Sequence, residues 1–129
     1  MTRHPRRLRA ESGAVTLEGA IMAPVVILAT MIIVQAACYF MANTTATNAA
    51  QISAEMARVR GATDTDGVQA GRDYLADIDA MSQATISVTR SGGRVTATVT
   101  APAPSIVPIV PMPDVRSEIN VPVERVTRQ

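Results

Sequence analysis

The most prominent pattern along the chain is an almost entirely apolar run from Ile21 to Ala42. No Asp, Glu, Lys or Arg occurs between Glu18 and Glu55. Because an α-helix rises about 1.5 Å per residue, the run covers roughly 30 Å, the thickness of the hydrocarbon core of a bilayer. The pattern therefore predicts one transmembrane helix over residues 14–42, after a basic leader at 1–13 and before a small domain at 43–129.

Small residues recur with helical spacing just after the apolar run, which predicts that the helix continues to about Arg60. They are Ala42, Ala46, Ala49, Ala50, Ser53 and Ala57. Such a seam lets another backbone approach the helix closely. Two interpretations stay open: the seam packs against partner subunits, or it packs against the chain's own strands.

A second, shorter helix is predicted after the break at 61–67. The stretch 68–80 is amphipathic, and we expect four side chains to point inward: Val68, Leu75, Ile78 and Met81. Asp66 followed by Gln69 is interpreted as an N-cap with its capping-box partner.

Two alternating segments at 84–90 and 94–100, joined by Ser91, Gly92 and Gly93, predict a β-hairpin with threonine-rich polar faces. Alternation resumes over 115–126, where Pro122 confines the strand to a sheet edge. The expected fold class is α+β, with a long N-terminal transmembrane helix followed by a short helix and a small antiparallel β-sheet.

The stretch 101–113 holds five prolines and predicts an extended loop. Its apolar residues are Ile106, Val107, Ile109, Val110 and Met112. They argue against a purely solvated tail, and the sequence leaves three interpretations open. The loop folds back on the hairpin, dips into the membrane surface, or touches a partner.

The formal net charge of +1 conceals an asymmetry, because four arginines precede the apolar run. They are Arg3, Arg6, Arg7 and Arg9. The basic flank of a first membrane helix normally stays in the cytoplasm. We therefore expect a single-pass protein of the cell membrane, with a cytoplasmic N-terminus and an extracytoplasmic C-terminal domain. Tyr39 and Phe40 fall where an outer aromatic belt would lie.

The residue types that enzymes need are scarce. The single histidine, His4, lies in the leader, and the single cysteine, Cys38, lies in the apolar run. Asp64 and Asp66 only superficially resemble a calcium loop, since no third acidic ligand follows at the required spacing. We expect no catalysis, no cofactor, no metal, no nucleic-acid partner and no small-molecule substrate.

Two kinds of cleavage would change this picture. A secretory signal would be removed after the apolar run, and a lipoprotein would be cut before Cys38, which follows Ala36 and Ala37. The run is longer than a usual signal core, and Gln35 stands where a lipoprotein motif usually has Leu. The product of either cleavage would be a secreted or lipid-anchored protein. A further alternative is an uncleaved single-pass accessory protein of a secretion system.

The junction of leader and helix carries a more specific pattern. Gly13 ends the basic leader, Glu18 lies five residues beyond it, and Pro24 lies six residues beyond Glu18. This resembles the processing site of prepilins and pseudopilins, and in particular the TadE-like proteins of tight-adherence (Flp) pilus systems. The resemblance covers about the first third of the chain and departs from the usual pattern at Gly19.

The resemblance implies a pilin-like fold and a function as a minor pilin or pseudopilin in tight-adherence pilus assembly or secretion. It implies cleavage by a prepilin peptidase between Gly13 and Ala14, followed by N-methylation of Ala14. Glu18 and Pro24 would then act in assembly, with Glu18 meeting the N-terminal amine of a neighbouring subunit. The implied partners are membrane lipid, the peptidase, other pilin or pseudopilin subunits and the pilus assembly platform.

Overall fold

The computed structural model describes the backbone of residues 8–106 and 111–124, and the side chains of 17–106 and 111–124. Its element order is two helices followed by three strands. The chain divides into two compact units, Met1–Ala36 and Ala37–Gln129. The predicted α+β class, with a long apolar helix, a short helix and an antiparallel sheet, is confirmed.

Helix α1 spans Leu8–Arg58 and includes Pro24. Proline cannot donate a backbone hydrogen bond to the preceding turn, yet the helix is continuous through it. The hydroxyl of Thr30 donates to the carbonyl of Val26 at 2.8 Å, so this polar group is satisfied within the helix itself. As predicted, the helix continues well beyond Ala42, and Gly61 follows its end with a φ of 87°.

Helix α2 spans Asp64–Asp77, and its first turn corrects one prediction. The N-cap is Thr63, whose hydroxyl accepts from the backbone N–H of Asp66 at 3.2 Å. Asp66 is therefore the third helical residue and the capping-box partner, and its interpretation as the N-cap is wrong. Gln69 instead donates to the Asp73 carboxylate at 2.7 Å.

The end of α2 also differs from expectation. The helix stops at Asp77 rather than Ala80, and Ile78 is the C-cap with 44% of its surface exposed. Its predicted inward orientation is therefore wrong. Asp79 and Met81 adopt positive φ angles of 48° and 54°, which turns the chain out of the helix.

The inward positions predicted for Leu75, Val68 and Met81 are confirmed. Leu75 is buried, while Val68 and Met81 are half-buried against the core.

The pKa of the Asp66 carboxyl lies below its ordinary value of 3.8. The larger cause is the hydrogen bond from the backbone N–H of Thr63 at 2.7 Å, and the Thr63 hydroxyl adds a second at 2.8 Å. A lowered folded-state pKa gives stability that is present above the unfolded value and is lost as the pH falls through the folded one. The capping box therefore contributes fully at neutral pH and weakens in acid.

We expect Thr63→Ala to destabilise the first turn of α2 by about 1 kcal/mol, the usual cost of losing an N-cap hydroxyl. The pKa of Asp66 should rise towards 3.8 without reaching it, because the backbone donor of residue 63 remains. A carbon-detected NMR titration of the Asp66 carboxyl measures this shift, with Asp73 as the reference carboxylate. An unchanged Asp66 pKa would contradict the capping geometry.

Three strands form an antiparallel sheet in the order β1–β2–β3, with β1 at Thr85–Ser91, β2 at Arg94–Ala101 and β3 at Val115–Pro122. Ser91 pairs with Arg94 across the predicted turn. Gly92 and Gly93 have φ angles of 59° and 76° there, as a tight hairpin turn requires.

The predicted edge strand is confirmed, since β3 pairs only with β2 in the described sheet and carries Pro122 opposite Arg94. The strand ends at Pro122, and the remainder of the predicted 115–126 segment includes residues 125 and 126, which lie outside the described residues. Of the Pro-rich stretch, residues 107–110 also lie outside the described part.

The core of the second unit lies between α1 and the sheet, with α2 beside them. The small-residue seam supplies much of it: all six of its members are at most 7% exposed. Val95, Val99 and Val115 are fully buried opposite them. The structure therefore favours the second interpretation of the seam, because this chain's own helix and sheet cover it.

Helix α2 approaches the seam through two glycines. A Cβ atom on Gly67 would lie 2.6 Å from the carbonyl oxygen of Ser53 and 2.8 Å from the Cβ of Ala57. A Cβ atom on Gly71 would lie 2.1 Å from the Ser53 hydroxyl oxygen and 2.9 Å from Cδ1 of Ile86. Only glycine permits so close an approach of the two helices without displacement.

Arg90 of β1 ties the hairpin to the turn between the helices. Its guanidinium donates to the carbonyl of Ala57 in the last turn of α1 and to that of Ala62 at 2.9 Å. It also lies 3.8 Å from the carboxylate of Asp64 at the start of α2. A cation at a helix C-terminus satisfies carbonyls that have no partner within the helix.

Candidate functional site in the apolar helix

The large apolar side chains in the N-terminal half of α1 are exposed on every side of the helix. Between Leu17 and Val34, eleven of them expose 40–69% of their surface. Runs of consecutive residues, such as Val25 to Leu28, necessarily point in all directions around a helix. A helix that is apolar on all sides requires an apolar environment. The helix is long and apolar enough to cross a membrane.

Glu18 lies at the start of this apolar stretch and is exposed. No basic side chain within residues 17–106 and 111–124 pairs with it. A carboxylate placed deep in a bilayer costs about 2.5–3.5 kcal/mol, and less near the interface. The arrangement therefore presents a negative charge that a positive partner would stabilise.

Gly13 and Ala14 lie within α1, where the structure describes their backbone alone. Ala14 and Glu18 are four residues apart in one helix and therefore share a face, one turn apart. Pro24 lies inside the same helix. The four residues predicted to act in processing and assembly thus belong to one continuous element, but no contact that joins them is described.

A second apolar surface, which the sequence interpretation missed, lies beside α2 on the last turns of α1 and the residue that follows it. Ile52, Met56 and Val59 line a groove of about 600 Å³ together with Tyr74 of α2. Met56 and Val59 are 45% and 44% exposed. Their spacing of four and three residues marks one helical stripe, and this periodicity was the available signal. The small-residue seam on another face of the helix is the more conspicuous pattern in the sequence and obscured this one.

Metal-binding groups are not brought together in the part of the chain that the structure describes. Within it, no three His, Cys, Asp or Glu side chains lie where they could hold an ion.

The family model TadE, described as TadE-like protein, matches residues 13–55. The matched segment is about one third of the chain and includes Gly13, Glu18 and Pro24. It confirms the resemblance that those residues suggested. No curated protein and no solved structure matches the chain.

Proposed function

We propose that this protein is a TadE-like minor pilin or pseudopilin that functions in the assembly of a tight-adherence pilus or secretion system. The observation that carries the proposal is the TadE-like match over 13–55, a segment that coincides with most of the exposed apolar helix. Helix α1 anchors the chain in the cell membrane, with the N-terminus in the cytoplasm and the second unit outside. The positive leader supports this orientation.

Maturation removes the leader by cleavage between Gly13 and Ala14, carried out by a prepilin peptidase. The cut has a direct physical consequence, because it creates a positive α-amine on Ala14 and deletes the arginines that hold the N-terminus inside. The new amine lies one helical turn from Glu18. Two opposite charges in lipid stabilise each other most when they are paired, so a neighbouring subunit's amine would favour assembled subunits over dispersed ones.

Packing with other subunits is the proposed mode of action, and burial within the second unit supports the use of a face of α1 other than the small-residue seam. The small-residue seam is already covered by the chain's own α2 and sheet. The groove at Ile52, Met56 and Val59 is open and apolar, which supports its use as the contact face in this part of the helix. We propose no enzymatic activity, no cofactor and no nucleic-acid or small-molecule partner.

The decisive experiment is the mass and N-terminal sequence of the protein purified from its native membrane. We expect the chain to begin at Ala14, with or without the added mass of one methyl group. Gly13→Ala should abolish processing and leave the full-length chain in the membrane. Gly19→Ala is the matched control, since a Cβ on Gly19 meets no atom within 4 Å and the residue lies beyond the cut.

Other N-termini would overturn the proposal in distinct ways. A chain that begins at Met1 would identify an uncleaved accessory protein anchored by α1. A chain that begins at Cys38 or later would identify a lipid-anchored or secreted product and would remove most of the apolar run of α1 from the mature protein.

A further inference from the structure

One end of the second unit is built around the last residues of the apolar run 21–42 of α1. Cys38, Met41 and Ala42 line a groove of about 530 Å³, and the other wall is formed by 80–83 and Pro102 to Pro104. Ala103 packs against the core cluster that includes Ala42. The first part of the Pro-rich loop is therefore fixed beside residues 38–42 of the helix.

These helical residues define a depth in the membrane. If the apolar run 21–42 fills the hydrocarbon core, Ala42 lies near its boundary, and Cys38 lies about 6 Å further in at 1.5 Å per residue. Ile106 is two residues beyond Pro104, so their Cα atoms are at most about 7 Å apart. Ile106 therefore lies within reach of the boundary between hydrocarbon and headgroups.

The chemistry of this end suits that boundary. Phe40 and Met41 expose 72% and 70% of their surface, and Ile106 exposes 45%. No charged residue occurs between Arg94 and Asp114. The five prolines of 101–113 carry no backbone N–H. The loop consequently has fewer donors that would lose hydrogen bonds to water if it entered the headgroup region.

We propose that the first part of the Pro-rich loop, residues 102–106, inserts Ile106 into the lipid leaflet that surrounds residues 38–42, beside Phe40 and Met41, and so seats the second unit on the bilayer. The inference rests on the membrane insertion of α1 that the proposed function includes. The occupant of this apolar surface is lipid. The surface is continuous with the end of the apolar run 21–42, whose side chains would already face lipid.

Insertion of this kind is driven by apolar burial rather than by charge. Surface attraction to anionic lipid requires Lys or Arg, and none lies between Arg94 and Arg116 or between Arg72 and Arg90. Asp79 and Asp114 flank the two loops at this end. Seating should therefore be insensitive to salt and to the addition of anionic phosphatidylglycerol.

The test uses the full-length chain with Cys38→Ala, reconstituted in phosphatidylcholine vesicles with and without phosphatidylglycerol. A polarity-sensitive fluorophore is attached at Ile106→Cys, and lipid nitroxides at two depths, near the headgroup boundary and near the bilayer centre, act as quenchers for the probes at 106 and 33 respectively. Ile33→Cys in the middle of the apolar run is the positive control. Ser91→Cys, at the hairpin turn of the same unit, is the negative control.

We expect the probe at 106 to shift to shorter wavelength and to lose most of its intensity to the quencher, at low and high salt alike. A probe at 106 as water-exposed as the probe at 91, with the probe at 33 quenched, would refute the seating and leave the anchor intact. Loss of quenching at 33 itself would overturn the membrane premise and this inference with it. Shielding of 106 from water without lipid quenching would also refute it, and would indicate a protein contact.

Discussion

Gly67→Ala is expected to lower the free energy of unfolding of the second unit by about 2 kcal/mol, although alanine has the higher helix propensity by about 1 kcal/mol. The new methyl group would meet the carbonyl oxygen of Ser53 and the Cβ of Ala57, and neither atom can rotate away. Helix α2 would have to move away from α1, and this would loosen the close packing along the small-residue seam. Overpacked sites cost stability in this way even when the added group is apolar.

Gly71→Ala provides the matched comparison, because its nearest obstacle is the Ser53 hydroxyl rather than backbone. That hydroxyl is buried, and within the described structure it has no hydrogen-bond partner. Ser53→Ala should therefore cost little by itself and should restore most of the stability lost in Gly71→Ala. The same change should not rescue Gly67→Ala, since the backbone oxygen of residue 53 remains.

These stabilities can be measured in detergent on the full-length protein from hydrogen exchange of the β2 amides, which open only with the core. Val95 and Val99 supply suitable reporters, as both are fully buried in the central strand. Equal rescue of both glycine variants by Ser53→Ala would show that the cost of Gly67→Ala does not come from a clash with the backbone oxygen of Ser53. A gain in stability in Gly67→Ala alone would lead to the same conclusion.

The elements that the sequence predicted well are those with an unambiguous period or a conformational requirement. The hairpin has strict alternation of apolar and polar residues on both sides of Gly92 and Gly93. The apolar run has a length that few structures other than membrane-spanning helices require. The small-residue seam was harder to interpret, because small side chains indicate a close approach without identifying what approaches. The missing information was the second half of the contact, Gly67 and Gly71, which share a face of α2 at four-residue spacing.

The ends of α2 show why element boundaries were less predictable. Thr63 and Asp66 have the usual spacing of a capping box. The prediction used Asp66 as the N-cap instead of Thr63 and therefore placed the N-cap three residues too late. At the other end the chain leaves the helix through Asp79 and Met81 at positive φ, without a glycine to signal it. Local backbone hydrogen bonds close this turn, since the N–H groups of Asp79 and Ala80 donate to the carbonyls of Ala76 and Leu75 at 3.1 and 3.0 Å. Asp tolerates positive φ better than most residues, but that preference is too weak to mark a helix end in a sequence.

The candidate site was predictable in identity but not in environment. Glu18 and Pro24 stand out in the sequence because a carboxylate and a proline are costly in an apolar helix. The structure adds that Glu18 has no basic partner among the described side chains of its own chain. The proposed function would supply that partner as the N-terminal amine of a neighbouring subunit, so changing Glu18 tests the proposal directly.

Glu18→Gln is expected to abolish assembly while leaving the subunit inserted in the membrane. Glutamine keeps the size of the side chain and can still accept a hydrogen bond, but it has no negative charge to pair with the α-amine of a neighbour. Removing one partner of a charge pair in a low-dielectric environment costs roughly 3–5 kcal/mol. A contact weakened by that amount corresponds to at least a hundredfold loss in association, so assembled complexes should disappear rather than diminish. Insertion itself should improve slightly, since the apolar helix loses a charge.

Cross-linking between subunits in native membranes measures the assembled fraction, and carbonate extraction measures insertion. Glu18→Asp is the informative companion variant, because it keeps the charge and shortens the reach by one methylene, so it should retain part of the assembly. Processing after Gly13 should be scored in the same samples. A defect in cleavage would prevent the α-amine on Ala14 from forming and would imitate the loss of the carboxylate. Normal assembly of a correctly cleaved Glu18→Gln subunit would refute the charge-pair model. The open groove at Ile52, Met56 and Val59 would then be the remaining candidate for the force that joins the subunits.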